Sequence, residues 1–242
     1  QYPLISKNNT SSFLIEPKVQ LFLSPDDYDN NKIRNEDSTE LDLASSNLFN
    51  YDRYVGFDRI ESGIRGNYGF IIKNISSKGQ NFSGSLGQTY NANKQELFNK
   101  NSGFKNNRSE IVGNIIYSHN AYYFNYDFRI SEKLNLNRNT VTSRKSFKKL
   151  DFELSYIQLK SFASARHNDT EQINYKFKYN INKPWSIYLY QLRDLAGALY
   201  SSPLRTNIGI NFSNECTTLE LNYARDRSYN VDIPAETNIS FN

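Results

Sequence analysis

Carboxylates and hydroxyls are plentiful in this sequence, yet none stands in the spacing that a nucleophile, a general acid–base pair or a metal site requires. Cys216 is the single cysteine, which excludes an internal disulfide framework and a dithiol metal site. The two histidines, His119 and His167, fall near the ends of predicted strands, where exposed turn residues are common. Gly63, Gly66 and Gly69 recur at every third position. No βαβ setting and no Lys-Ser/Thr ending follows to make a phosphate-cradling loop. These glycines fit strand bending, a bulge or close backbone approach instead. The densest basic run, Arg144 to Lys149, comes with no nucleic-acid-binding module. It reads as a solvated hairpin end, or as a contact to phosphates of another kind. The chemistry on offer is not that of an enzyme, and neither a cofactor nor a metal is implied.

The composition says what must hold such residues. Among 242 residues, hydrophobic types make up 38%, yet 18 Tyr and 16 Phe bring the aromatic share to 14%. Mean hydropathy is −0.71. Disordered chains are depleted in aromatics, so disorder does not account for this mixture. The net charge of +4 comes from 29 basic and 25 acidic residues, interspersed and mild. No run of 18 apolar residues predicts a membrane-spanning helix. No basic-plus-apolar leader precedes Gln1, which suggests a mature piece or a fragment.

What the sequence does carry is alternation. From Ala121 to Ser131, Tyr122, Phe124, Tyr126, Phe128 and Ile130 fall on one side, while Asn125, Asp127, Arg129 and Ser131 fall on the other. Successive strand residues face opposite ways, so this segment has a dry face and a wet face. Similar period-two segments are predicted at Phe13–Leu23, Ile64–Ile72, Asn81–Tyr90, Ile111–Tyr117, Leu134–Thr142 and Leu150–Tyr156. They continue at Ile173–Ile181, Trp185–Gln191, Leu204–Phe212 and Leu219–Tyr223, and a short one ends in Ile239 and Phe241. Pro17 removes one ladder donor from the first, as an edge or bulge tolerates. About twelve strands result, joined by turns rich in Asn, Ser, Lys and Gly. The longest irregular connection spans about 24–63; within it, Asp42–Phe49 allows a short turn of helix.

Two architectures use such strands. A sandwich packs the dry faces of two sheets together, whereas a transmembrane β-barrel turns them to lipid and encloses the wet ones. Several segments reach the 9–11 residues of tilted spanning strands. Tyr117, Tyr122 and Tyr123 flank one hairpin and Tyr179, Trp185 and Tyr188 another, matching interfacial girdles. High strand propensity of aromatics explains them equally, so alternation alone leaves both architectures open.

One stretch separates them. Asn35 to Phe70 reads NEDSTELDLASSNLFNYDRYVGFDRIESGIRGNYGF, and it resembles the central stretch of the LPS-assembly protein family of the Gram-negative outer membrane, LptD (OstA/Imp). The FLIEP run at Phe13–Pro17 is family-like. Asn214-Glu215-Cys216-Thr217 through Arg225-Asp226 resembles the segment before a late barrel strand in which the family carries cysteine. The resemblance covers most of this chain but only part of a family member. It implies an all-β, antiparallel transmembrane β-barrel, here a partial barrel of about twelve strands, with 1–242 as the C-terminal portion.

The function implied is translocation of lipopolysaccharide (LPS) into the outer leaflet of the outer membrane, through a polar lumen and a lateral gate. Asn35, Glu36, Asp37 and Ser38 form either an acidic turn or part of a connection organising the barrel. Asp58, Arg59 and Glu61 form surface ion pairs or an inward network shielded from lipid. Family members pair late-barrel cysteines with their periplasmic domain, so Cys216 is a candidate for one interdomain disulfide, although the adjacent second cysteine is absent. Lys176, Lys178 and Arg205 share the wet-face pattern and could meet anionic sugars or phosphates. Pro234 would weaken the seam between the last and first strands that gates the family, or would simply begin an edge strand. The partners implied are LPS, an LptE-like plug lipoprotein and the periplasmic Lpt bridge reached through an absent N-terminal domain; nucleic acid is not among them. The alternatives are a porin-like or adhesin-like barrel and an extracellular carbohydrate-binding sandwich.

Overall fold

The computed structural model describes residues 2–25, 34–92, 98, 102–104, 106–160, 169–196, 203–227 and 236–241. The described residues are all-β. In chain order the strands are β1 (Leu4–Lys7), β2 (Ser11–Ser24), β3 (Thr39–Glu40), β4 (Tyr54–Val55), β5 (Gly63–Ser76), β6 (Gln80–Asn91), β7 (Ile111–His119) and β8 (Tyr122–Ile130). They continue as β9 (Leu136–Ser146), β10 (Leu150–Leu159), β11 (Thr170–Asn182), β12 (Trp185–Asp194), β13 (Arg205–Ser213), β14 (Thr218–Asp226) and β15 (Glu236–Phe241). Thirteen form one sheet in sequence order from β1 to β15, and β3 and β4 pair separately. Among the described residues β1 and β15 are its outer strands, as in a partial barrel.

The alternating segments and the strands coincide, and each departure has a local cause. β1, β3 and β4 are too short to show a period. Leu134 does not begin a strand: it sits at φ 60°, in a tight connection closed by Leu134 N–H to Ser131 C=O at 2.9 Å. Asp42–Phe49 forms a turn at 45–49 rather than helix, because the Asn47 side chain accepts from Ala44 N–H at 2.9 Å and donates to Asp42 C=O at 2.8 Å. An Asn that satisfies the backbone this way competes with helical bonding. Pro17 lies two residues beyond Ile15, the last β2 residue with a partner in β1, so its missing N–H falls where β2 has an open side.

The apolar faces are not packed on a second sheet. In register, Tyr179, Ile187, Ile210, Leu221 and Phe241 form one row across β11 to β15, and each is 40–70% exposed. Val19, Leu21 and Leu23 of β2 are 66–78% exposed. A sandwich would bury these side chains, so that architecture is excluded for the described residues. By contrast, buried polar side chains such as Asn67, Thr89, Asn91 and Arg129 sit on the strands' other face, fully covered. The dry side out and the wet side in is the reverse of a soluble protein and the pattern of a membrane barrel.

Consecutive strands of this sheet run antiparallel, so connections fall alternately at the two strand ends. At one end they are short: 8–10, 77–79, 120–121, 147–149, 183–184 and 214–217. At the other they are longer: 25–62, 92–110, 131–135, 160–169, 195–204 and 227–235. The chain divides into two compact units, residues 1–118, 125–139 and 159–169 in the first, and 119–124, 140–158 and 170–242 in the second.

Candidate functional site

In the first unit, the polar face of β2, β5 and β6 carries a cross-strand row, Gln20, Asn67 and Thr89. Asn67 Nδ2 approaches Gln20 Oε1 at 3.4 Å, and Thr89 Oγ1 donates to Asn67 Oδ1 at 3.0 Å. The long connection after β2 folds back over this row instead of leaving it to solvent. Arg53 Nη1 extends the row by donating to Thr89 Oγ1 at 3.1 Å, and Leu48 packs on Gly87 of β6, where a Cβ would collide with it. Leu43, Leu48, Tyr54, Phe98, Phe104 and Val112 form a small apolar core beneath the connection.

Glu61 is the centre of this arrangement. Its carboxylate pairs with both Arg53 and Arg65, and Arg53 Nε donates to Glu61 Oε2 at 2.7 Å. Arg53, Glu61 and Arg65 are 0%, 7% and 3% exposed, so none of the three charges is solvated by bulk water. Burial lowers the Arg53 pKa, and the Glu61 carboxylate acts in the opposite sense. The guanidinium groups also lie over rings, Arg53 over Phe104 at 4.1 Å and Arg65 over Phe22 at 4.3 Å. Arg65 Nη2 donates to the backbone oxygens of Asn50 and Tyr51 at 3.2 and 2.6 Å. One carboxylate thus ties a residue of β5 to the folded-back connection.

The acidic turn Asn35–Ser38 fastens the same connection at its outer end. Asp58 Oδ2 accepts from the N–H groups of Glu36 and Asp37 at 2.8 and 3.0 Å. In return Asp37 accepts from Phe57 N–H at 3.1 Å, and Ser38 Oγ accepts from Asp58 and Arg59 N–H at 2.9 and 3.0 Å. Asn35 closes its own turn through Ser38 N–H at 2.9 Å. Gly56, at φ 114°, lies against Asp37 C=O and Ser38, where a side chain has no room. Asn35 closes a local turn because a short amide reaches a backbone N–H three positions on, whereas Asp37, Ser38 and Asp58 use the same short acceptors on backbone N–H groups about 20 positions away. Arg59 is half-buried beside this clasp.

A second ion pair lies on the same polar face: Arg129 Nε is 2.8 Å from Glu110 Oε2, and Arg129 Nη1 donates to Ser102 C=O at 3.0 Å. Burial raises the Glu110 pKa, opposed by Arg129 and by the Asn137 side chain. Nearby, Asn114 Nδ2 donates to Asn125 Oδ1 at 2.6 Å and Asp127 Oδ1 at 2.8 Å. These three residues, with Ser45, Ser46 and Arg138, line a cavity of about 450 Å³.

Among the described residues, the second unit leaves its polar face open. The register places Lys176 and Lys178 opposite Tyr190 and Tyr188, and Arg205 opposite Leu192, so the three predicted cations share one face. Lys176 Nζ is 3.1 Å from Glu153 Oε1, and Arg144 Nε is 2.6 Å from Glu153 Oε2. Arg205 pairs with Asp226. Lys178 is exposed. Cys216 is free and exposed, in a turn where Asn214 Oδ1 accepts from Cys216 and Thr217 N–H at 3.0 and 2.8 Å. Pro234 and His167 lie outside the described residues.

The structure therefore brings Asn35–Ser38 to Asp58 and Arg59, and Glu61 to a separate buried cluster. Arg53, Arg65, Glu110 and Arg129 are further ion-paired charges on the polar side that no sequence motif singles out. Arg65 and Arg129 carry a usable signal, being full charges on the wet side of alternating strands. Arg53 carries none, since nothing local says that its connection folds inward.

The family model for LptD, LPS transport system D, matches residues 2–185 of this chain. No curated protein matches it. Among solved structures, a mutant of the Rh. blastica porin is similar at 9% sequence identity with a TM-score of 0.40, over 84% of this chain and 86% of that one.

Proposed function

Because this chain belongs to the LptD family of LPS transport, we propose that it forms part of the wall of an outer-membrane β-barrel that delivers LPS to the outer leaflet. The family is one of transport, and the chain's role is not enzymatic. The observation that carries the reading is the inverted sheet, with Ile210, Leu221 and Phe241 exposed on one face and Lys176, Lys178 and Arg205 on the other. An apolar exterior suits acyl chains and lipid, and a polar interior suits sugars and phosphates. Short turns at one strand end and long connections at the other support periplasmic and extracellular sides respectively.

In this reading, residues 1–242 are the C-terminal part of the barrel domain. The seam between last and first strands is the lateral gate, with Pro234 beside it. An LptE-like lipoprotein plugs the lumen, and a domain outside this sequence meets the periplasmic bridge. Cys216, at the short-turn end, faces the oxidising periplasm and forms one disulfide to that domain. In the full-length protein, Cys216→Ser should abolish a redox-dependent gel shift; an unchanged shift would remove this role. For transport itself, depletion of the full-length protein in cells should deprive the surface of newly made LPS. Normal surface delivery after complete depletion would overturn the assignment.

A further inference from the structure

In the second unit, two neighbouring short turns form a basic rim that transport through a lumen does not use. Asn180 N–H donates to Lys149 C=O at 2.7 Å, and Lys149 Nζ reaches Ile181 C=O at 3.3 Å. These bonds bring the β9–β10 turn, 147–149, beside the β11–β12 turn, 183–184. Arg144, Lys145, Lys148, Lys149 and Lys183 gather there. The carboxylates near this end are Asp151, Glu153, Glu215 and Glu220; Glu153 already holds Arg144 and Lys176, and Glu220 accepts from the Tyr188 hydroxyl. The cations are therefore in excess.

The cations are interleaved with aromatic rings. Lys145 Nζ lies 5.9 Å from the ring centres of both Tyr122 and Phe147, and Arg144 lies 5.2 Å from that of Tyr123. Phe147 is 59% and Trp185 44% exposed. Directly along the strands, Tyr179 and Ile187 begin the exposed apolar band. Along β11 and β12 the exposed apolar side chains Tyr179, Ile181 and Ile187 and the ring of Trp185 lead up to the turn that carries Lys183. An acidic protein partner would need the charges alone. A bilayer presents the whole series, hydrocarbon, interface and phosphates, where aromatic rings and long basic side chains settle at matching depths.

We infer that this rim seats on anionic phospholipid headgroups in the leaflet at the short-turn end, with Lys145, Lys148, Lys149 and Lys183 meeting the phosphates. The inference rests on the barrel reading. Trp185, the one tryptophan of this sequence, stands at the rim and reports on it. Full-length protein is reconstituted into vesicles in which either phosphatidylglycerol or phosphatidylcholine carries brominated chains, at equal mole fraction. Quenching due to Trp185 is the difference from Trp185→Phe. Brominated phosphatidylglycerol should quench it at least about twofold more than brominated phosphatidylcholine, since each basic residue near an anionic surface attracts it appreciably. The excess should vanish when Lys145, Lys148, Lys149 and Lys183 are all changed to Gln, and survive when they are changed to Arg. Equal quenching by both lipids in the unaltered protein overturns the lipid seat and leaves the barrel standing. No quenching by either lipid overturns both.

Discussion

The first unit covers its polar face with its own chain, whereas among the described residues the second leaves its polar face open, and the same residue types consequently do different work. Glu61 and Glu153 each bridge two cations. Glu61 does so between guanidinium groups 0% and 3% exposed; Glu153 does so between side chains 55% and 54% exposed. Charges removed from water must be matched group by group, because the interior does not solvate the one left over. Exposed charges are interchangeable with water and salt. The covered face is thus matched group by group, and the cations of the open face keep their contact with water.

The largest test breaks the covered cluster. Glu61→Gln should destabilise the folded-back connection by about 3–5 kcal/mol, because two buried guanidinium groups lose the carboxylate they share. Amide exchange over 34–61 should accelerate by about two to nearly four orders of magnitude, at about 1.4 kcal/mol per tenfold. Glu153→Gln is the matched control in the open unit and should cost no more than about 1 kcal/mol. Equal effects from the two substitutions would end the distinction between the faces.

Next in size is the packing of the connection on the sheet. At Gly87 a Cβ would strike Leu48 and would lie 2.8 Å from Tyr68 C=O, whereas at Gly66 nothing lies within 4 Å. Gly87→Val should cost about 1–3 kcal/mol through overpacking, while Gly66→Val should stay within about 0.5 kcal/mol. Leu48→Ala and Gly87→Val combined should cost less than the sum of the two alone, because the smaller side chain relieves the clash between them. Thermal unfolding in detergent micelles separates the variants.

The outer clasp comes third. Ser38→Ala removes one oxygen that accepts from two N–H groups, those of Asp58 and Arg59. A loss of about 1–2 kcal/mol follows if both donors go unmatched. Exchange at 56–59 reads it directly, with the Glu61 cluster unaffected if the clasp and the cluster are independent.

The two regions also differ in how far their residues declare themselves. Alternation marks Ile173–Ile181 and Leu204–Phe212 as two-faced strands, because period two is local and survives without tertiary context. The direction of those faces, lipid or second sheet, is not local, and resemblance in Asn35–Phe70 was needed to choose it. Strand β9 starts late because one residue, Leu134, adopts positive φ, which a leucine does not advertise. The clasp of Asn35–Ser38 with Asp58 joins positions some 20 apart, and Glu61 gains its role only once Arg53 and Arg65 converge. A mixed-charge string before a strand gives no sign of which charges will lose their water.

The smallest effect tests the clasp without changing its shape. The N–H of Phe57, foremost among several hydrogen bonds, holds the Asp37 carboxyl below its ordinary value of 3.8. A depressed carboxylate contributes stability that is present above 3.8 and is lost as pH falls through its value in the folded chain. Protection of the Phe57 and Asp58 amides, corrected for intrinsic exchange, should therefore decline on acidification below 3.8. In Asp37→Asn the group cannot titrate, and that decline should disappear while the cluster around Glu61 stays protected. Persistence of the same decline in Asp37→Asn would take it away from Asp37 and overturn this account of the clasp.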